Sequence, residues 1–202
     1  LPVALLGQIR GKHVIDLCAA PGGKTAQLTS RGATVSAVER SAKRLKRLED
    51  NLSRLKMTAE AFCRDATQWA PDHKADAVLL DAPCSSTGAI RRHPDIPHLK
   101  KSEDVKKLAT AQFNLLEAAI KMVKPGGRIV FCTCSLQPEE GPELIEKILE
   151  VHSSVRIEAV MPEEIGGLDE LILGEGTIRC LPCHLSEMGG MDGFFIARLI
   201  CD

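Results

Sequence analysis

The chain is predicted to be an α/β domain built on a mostly parallel sheet with helices on both faces, on three observations. Short strand-like apolar runs alternate with helical patterns along its length. One run, Ala77-Val78-Leu79-Leu80, is continuously apolar, as a strand buried on both faces must be. Acidic or thiol side chains stand at or just beyond the ends of the runs, where α/β folds keep ligands and chemistry. With 202 residues, 44% of them hydrophobic, the chain is long enough for a full core. The simplest division is one domain over residues 1–202.

The elements follow in order. His13 to Leu17 reads as a strand, followed by a Gly-rich turn and a short helix from Lys24. Ala33 to Val38 alternates as a second strand. Ser41 is placed to cap a helix whose Leu45, Leu48, Leu52 and Leu55 recur at spacings of three and four. Ala59 to Cys63 is a short third strand and Asp76 to Leu80 a fourth. A long loop runs from Ala82 to about Lys100, holding Pro83, Gly88, Pro94 and Pro97. A loop of that length in a compact domain is usually functional. Ser102 then caps a helix carrying Val105, Leu108, Leu115, Leu116, Ala119, Ile120 and Val123, stopped by Lys124-Pro125-Gly126-Gly127. Arg128 to Cys132 is the fifth strand. Pro138-Glu139-Glu140 opens a helix through Leu149, its carboxylates at the positive end. Val155 to Val160 and Gly193 to Leu199 are two last strands, with loop between 161 and 177.

Composition excludes several classes. No apolar run approaches membrane-spanning length. Leu1-Pro2-Val3-Ala4-Leu5-Leu6 has neither the basic leader nor the cleavage site of a signal peptide. The chain lacks an initiator Met, so it is read as an excised domain. Its eight cysteines are too sparse for a disulfide scaffold and read as reduced thiols of a cytoplasmic protein. Cys180-x-x-Cys183-His184 is not matched by a second such pair, as a structural zinc site requires, so no metal is expected. The net charge is -1, which gives no global attraction to nucleic acid. The basic residues cluster at Arg40, Lys43, Arg44, Lys46 and Arg47, and at Lys100, Lys101, Lys106 and Lys107. These read as solvated helix faces. Arg91 and Arg92 differ, because they lie in the long loop close behind Cys84.

Asp16-Leu17-Cys18-Ala19-Ala20-Pro21-Gly22-Gly23-Lys24-Thr25 joins the first strand to the first helix. Small residues there let a ligand approach the backbone, and the helix start supplies free N–H groups. A P-loop would need glycine where Cys18 stands, although Gly23-Lys24-Thr25 fits its end. The dinucleotide spacing G-x-G-x-x-G is absent. S-adenosylmethionine (AdoMet) needs no phosphate cradle. It needs a carboxylate for the ribose diol, and Glu39 ends the second strand. It needs a polar contact for the adenine, and Asp65 follows the third.

Two cysteines sit past strand ends: Cys84 in Asp81-Ala82-Pro83-Cys84-Ser85, and Cys134 in Thr133-Cys134-Ser135. Thiolates attack electron-poor carbons and leave again. A pair of them beside a nucleoside-type loop points to covalent chemistry on a ring.

These segments, with Arg91-Arg92-His93-Pro94-Asp95 and the closing Glu187-Met188-Gly189-Gly190-Met191-Asp192-Gly193-Phe194-Phe195, resemble the bacterial RNA cytosine-C5 methyltransferases, most of all their small-subunit ribosomal RNA branch. The likeness runs in order over nearly the whole chain. It implies a Rossmann-like AdoMet-dependent methyltransferase sheet of about seven strands, the last antiparallel. It implies that Cys18, Ala19, Ala20, Pro21, Gly22, Gly23, Lys24, Glu39, Asp65 and Asp81 surround AdoMet. It assigns the attacking thiol to Cys134 and the release step to Cys84, whereas DNA cytosine methyltransferases attack with the cysteine of the Pro-Cys motif. Asp81 is expected to have a second role, hydrogen bonding the cytosine N3/N4 edge, and Arg91 and Arg92 are expected to contact phosphates of the flipped-out nucleotide's neighbours. The branch also carries an upstream RNA-binding domain that is not part of this sequence. The rivals are a transfer RNA substrate, a non-catalytic RNA-binding module with the same fold, and an NTPase.

Overall fold

The computed structural model describes all residues, 1–202. Its centre is an eight-stranded sheet in the order β3-β2-β1-β4-β5-β8-β6, with β7 also pairing to β8. The strands are β1 (His13–Leu17), β2 (Thr34–Glu39), β3 (Glu60–Cys63), β4 (Ala75–Asp81), β5 (Val123–Thr133), β6 (Val155–Ile157), β7 (Ile178–Cys180) and β8 (Phe194–Cys201). The pairings from β3 to β5 are parallel. β8 runs antiparallel to β5, β6 and β7. The α/β class, the parallel core and the antiparallel last strand all stand as expected; the sheet has one strand more.

The helices are α1 (Gly23–Ser30), α2 (Ala42–Leu55), α3 (Ile96–Leu99), α4 (Ser102–Met122) and α5 (Pro142–Val151). None is long and apolar enough to cross a membrane. The sheet divides the core in two. Val78 and Leu80 join one apolar cluster with Leu116, Phe131, Ile145 and Phe195, while Ala77 and Leu79 join the other with Val14, Leu28, Val130 and Ile196. Alternate residues of β4 therefore bury against opposite layers, which is why its sequence is apolar throughout. Phe131 and Phe195, both fully buried, meet edge to face at 6.4 Å. Removing either ring should cost about 3–5 kcal/mol. Val3, Leu5, Leu6 and Ile9 are also buried, in the second layer.

Several boundaries differ from the sequence reading. Ser102 is the first residue of α4 rather than its cap; the Asp104 carboxylate accepts the Lys101 N–H at 3.1 Å instead. β5 takes in the Lys124–Gly127 stop signal, because Val123 already pairs with Ala75 before the ladder resumes at Arg128 and Ala77. The helix expected from Pro138 is a 3₁₀ turn (Pro138–Glu140) interrupted at Gly141, and α5 starts afresh at Pro142, a residue suited to a first helical turn. β6 stops at Ile157 and β7 was not anticipated. Each is only three residues, too short to carry a period-two pattern. The long loop after β4 holds a 3₁₀ turn (Thr87–Ala89) and the single turn of α3. Leu55, placed in the apolar stripe of α2, is 41% exposed, while Leu45, Leu48 and Leu52 are buried.

Strand order reverses between β1 and β4: β2 and β3 lie to one side, β5 and β8 to the other. The crevice beyond the carboxyl ends at such a reversal is where α/β sheets bind ligands. Cys18, Glu39, Asp65, Asp81 and Cys134 are each the last residue of a parallel strand, or one or two beyond it.

Candidate active site

A cavity of about 510 Å³ opens at this edge, within the range of small-molecule sites. Cys18, Ala20, Glu39, Asp65, Asp81, Cys84 and Cys134 all line it. Ala19, Pro21, Gly22, Gly23 and Lys24 do not appear in its wall; they form the turn behind it.

That turn is shaped by backbone geometry. Cys18 is left-handed at φ 59° and Gly22 at φ 99°. A Cβ on Gly22 would lie 3.1 Å from the Leu48 side chain of α2, so glycine is needed both for the turn and for the packing. The Ala19 N–H donates to Val38 O at 3.2 Å, tying the turn to β2. Burial, aided by nearby Glu39, pushes the Cys18 thiol up to about 12, which makes it an inert wall rather than a nucleophile. Beneath the turn, fully buried Asp16 accepts a 2.6 Å hydrogen bond from Thr25. Burial raises its carboxyl to about 7 despite that bond.

At the β2 and β3 end, Glu39 is 4% exposed. Its Oε1 accepts the Ser41 N–H at 2.9 Å. Its Oε2 is buried without a hydrogen-bond donor, and the nearest cation, Arg44 Nη1, stands 3.4 Å away. A buried carboxylate oxygen left open is costly unless something donates to it. A ribose diol offers two O–H donors, so the residues present fit the nucleoside of AdoMet. Asp65 Oδ1 takes both Thr67 donors, the hydroxyl at 2.7 Å and the N–H at 2.9 Å. The hydroxyl first and then the amide hold its carboxyl below the usual range.

At the β4 and β5 end the reactive side chains are bonded to one another. Asp81 Oδ2 pairs with Lys24 Nζ at 2.7 Å, and Asp81 Oδ1 accepts from the Cys132 thiol at 3.4 Å. Burial pulls Lys24 down, but Asp81 outweighs it and the ammonium titrates above its ordinary value. The sulfurs of Cys84 and Cys134 are 3.4 Å apart. With Cys84 as the donor, that hydrogen bond lowers the Cys134 thiol to about 6 against the opposing effect of burial; the Ser86 hydroxyl, 3.6 Å away, lowers it further. Cys84 is driven the other way, first by that same bond and then by burial. Of the pair, Cys134 is thereby made the more acidic thiol and Cys84 the one that keeps its proton.

Close approach of backbone completes this end. The Gly88 N–H donates to Cys134 O at 2.9 Å and the Gly193 N–H to Gly88 O at 2.8 Å. A Cβ on Gly88 would fall 2.0 Å from Gly193 O, which no side chain allows. The turn Thr87–Ala89, the Cys134 loop and the start of β8 are thereby stitched together.

Two features escaped the sequence reading. Glu140, read as a helix-start carboxylate, is fully buried and faces the residues that follow the two cysteines. Asp192 takes the arginines assigned to RNA: Arg91 Nε donates to Oδ1 at 2.9 Å and Arg92 Nε to Oδ2 at 2.8 Å. Neither guanidinium stands free; both clamp the closing loop, with outer faces still exposed at 42% and 56%. The signal for Asp192 was an acidic residue in a motif of glycines; for Glu140 it was a serine after each cysteine. Cys180 is buried, Cys183 exposed, and His184 Nδ1 accepts the Leu181 N–H at 3.1 Å. No group of three or more His, Cys, Asp or Glu side chains is arranged to hold a metal.

Residues 3–200 match the family model described as 16S rRNA methyltransferase RsmB/F. The ribosomal RNA small subunit methyltransferase B of Vibrio cholerae is 38% identical over 204 residues, covering 98% of this chain and 44% of that protein. The enzyme of the same name from Erwinia tasmaniensis is 40% identical over 203 residues, with the same coverage. The chain thus spans less than half the length of these curated relatives. Among solved structures, PH0851 superposes with a TM-score of 0.88 at 33% identity, covering 98% of this chain and 44% of that one. NSun6 from Pyrococcus horikoshii, solved with SFG, gives 0.79 at 28% identity, covering all of this chain and 52% of that one.

Proposed function

The chain belongs to the RsmB/F family of 16S rRNA methyltransferases, and on that premise we propose that it is a catalytic domain placing a methyl group on C5 of a cytosine in RNA, small-subunit ribosomal RNA first. The supporting observation is the thiol pair, 3.4 Å apart, opening on the cavity that Glu39 also lines.

Cytosine C5 is a weak nucleophile. Addition of the Cys134 thiolate at C6 breaks the ring's conjugation and leaves C5 enamine-like. The low thiol value of Cys134 supplies the thiolate at neutral pH without a separate base. Asp81, which Lys24 holds at 2.7 Å, accepts in this mechanism from the exocyclic amine and so orients the ring. AdoMet, when bound against Glu39 and Asp65, supplies an electrophilic methyl group.

Release needs the C5 proton removed, so that its electron pair re-forms the C5–C6 double bond and expels the Cys134 thiolate. Cys84 is the proposed base. Its hydrogen bond to a thiolate is the main reason it holds its proton. Once the Cys134 sulfur is bonded to carbon, that charge is gone, the hold on the Cys84 proton weakens, and that proton passes to solvent, leaving a Cys84 thiolate to take the C5 proton. The same bond thus makes Cys134 the first nucleophile and primes Cys84 for the second half of the reaction.

The test is methyl transfer from tritiated AdoMet to small-subunit ribosomal RNA, with the product mapped by bisulfite sequencing. Label at a bisulfite-resistant cytosine is the expected result; label elsewhere, or none, would sink the proposal. Cys84→Ala should accumulate a protein–RNA adduct that survives denaturing electrophoresis, because the proton-removal step is lost.

A further inference from the structure

We propose that Glu140 is a positioning residue: its buried carboxylate ties Ser85 to Ser135 and so holds the two cysteine loops in the register that brings their thiols together. Glu140 Oε1 accepts the Ser85 N–H at 2.9 Å and the Gln112 Nε2–H at 2.9 Å. Its Oε2 accepts the Ser135 hydroxyl at 2.5 Å and the Ser85 hydroxyl. Four donors therefore converge on one carboxylate that is fully buried, and no Lys, Arg or His forms an ion pair with it.

The donors come from separate parts of the chain. Ser85 follows Cys84, Ser135 follows Cys134, and Gln112 lies in the middle of α4. Gln112 also donates to Pro83 O at 2.8 Å, on the other side of Cys84. The Glu140 carbonyl accepts the Thr133 hydroxyl at 3.0 Å, one residue before Cys134. Each cysteine is thus bracketed by residues bonded to Glu140 or to its partner Gln112. A buried carboxyl left without donors would be costly, and these four hydrogen bonds offset that. The result is rigid support behind two thiols that must stay in contact.

This inference deepens the cytosine-C5 reading, but its first readout does not depend on that reading. The experiment is alkylation of Cys134 by iodoacetamide as a function of pH, read peptide by peptide by mass spectrometry, in wild type, Glu140→Ala, Glu140→Gln and Ser135→Ala. Turnover and KM for AdoMet and RNA are measured in parallel. In wild type the alkylation midpoint should lie near pH 6. Glu140→Ala should raise it by at least about one pH unit and lower kcat roughly tenfold to a hundredfold, with each KM within about twofold, as expected for a misplaced group. Glu140→Gln should stay near wild type, because its oxygen can take the two N–H donors while its amide donates to serine hydroxyls that rotate. Ser135→Ala, which removes one donor and leaves the carboxylate otherwise bonded, should shift in the same direction by less; it carries the test if Glu140→Ala does not fold. A wild-type midpoint in Glu140→Ala, or in both alanine variants, would overturn the proposal. So would a Glu140→Gln shift as large as that of Glu140→Ala, since charge rather than tethering would then be what matters. Wild-type protein that alkylates as described but methylates no cytosine would refute the function and leave the positioning role intact.

Discussion

The two ends of the cavity are built on opposite plans. At the β4 and β5 end the reactive groups have their partners within the protein: thiol to thiol, Asp81 to Lys24, Glu140 to four donors. At the β2 and β3 end Glu39 Oε2 is buried with no hydrogen bond made to it, only the Arg44 guanidinium standing 3.4 Å away. The difference separates a region whose geometry is fixed before any ligand arrives from one whose hydrogen bonding awaits the ligand. Chemistry needs the first, because a thiolate must be placed and charged in advance. Binding uses the second, because a carboxylate oxygen without a hydrogen bond rewards the molecule that donates one.

If the ends are separable, variants at one should spare the other. Cys134→Ala should lower methyl transfer by about three orders of magnitude or more, as loss of an attacking group does, while calorimetry finds the AdoMet Kd within about twofold of wild type. A comparable loss of AdoMet affinity would break the division. Glu39→Ala should show the converse. Losing bonds to a charged acceptor costs about 1.5–3 kcal/mol, or roughly tenfold to a hundredfold in AdoMet Kd, with the pH profile of Cys134 alkylation unmoved. An unchanged Kd would place the ribose contact elsewhere.

A smaller effect sharpens the picture of the reactive end. In the proposed mechanism the Cys134 thiolate is the active form, and its thiol is lowered to about 6. Turnover should therefore be nearly flat from pH 7 to 8 and fall about tenfold by pH 5, as the proton returns. A profile still climbing between pH 8 and 9 would mean that Cys84 does not lower its neighbour.

How far the sequence reached divides along the same line. Glu39, Asp65, Asp81, Cys84 and Cys134 were readable because each stands at or near a strand's carboxyl end, a position fixed by local pattern. The alternation of β4 and the spacing on α2 likewise follow from neighbours in the chain. Glu140 and Asp192 were not readable, since their meaning comes from partners 55 and 101 residues away. The Pro-Glu-Glu run looked like an ordinary helix start until the turn at Gly141 sent one carboxylate inward. β7 escaped because three residues carry too little periodicity. Arg91 and Arg92 were placed in the right loop, but their ion pairs with Asp192 were not foreseen, because a basic pair signals only that some anion is near.

β8 has a bearing on how the molecule is made. It lies between β5 and β6 and also pairs with β7, and Gly193 just before it is bonded to the turn behind the thiols. Synthesis proceeds from the amino end, so three earlier strands wait for residues 194–201 to emerge before they find this neighbour. The Cys134 loop is then fastened only once residue 193 has been made, and a nascent chain still short of it holds both sulfurs without the clasp that keeps them face to face.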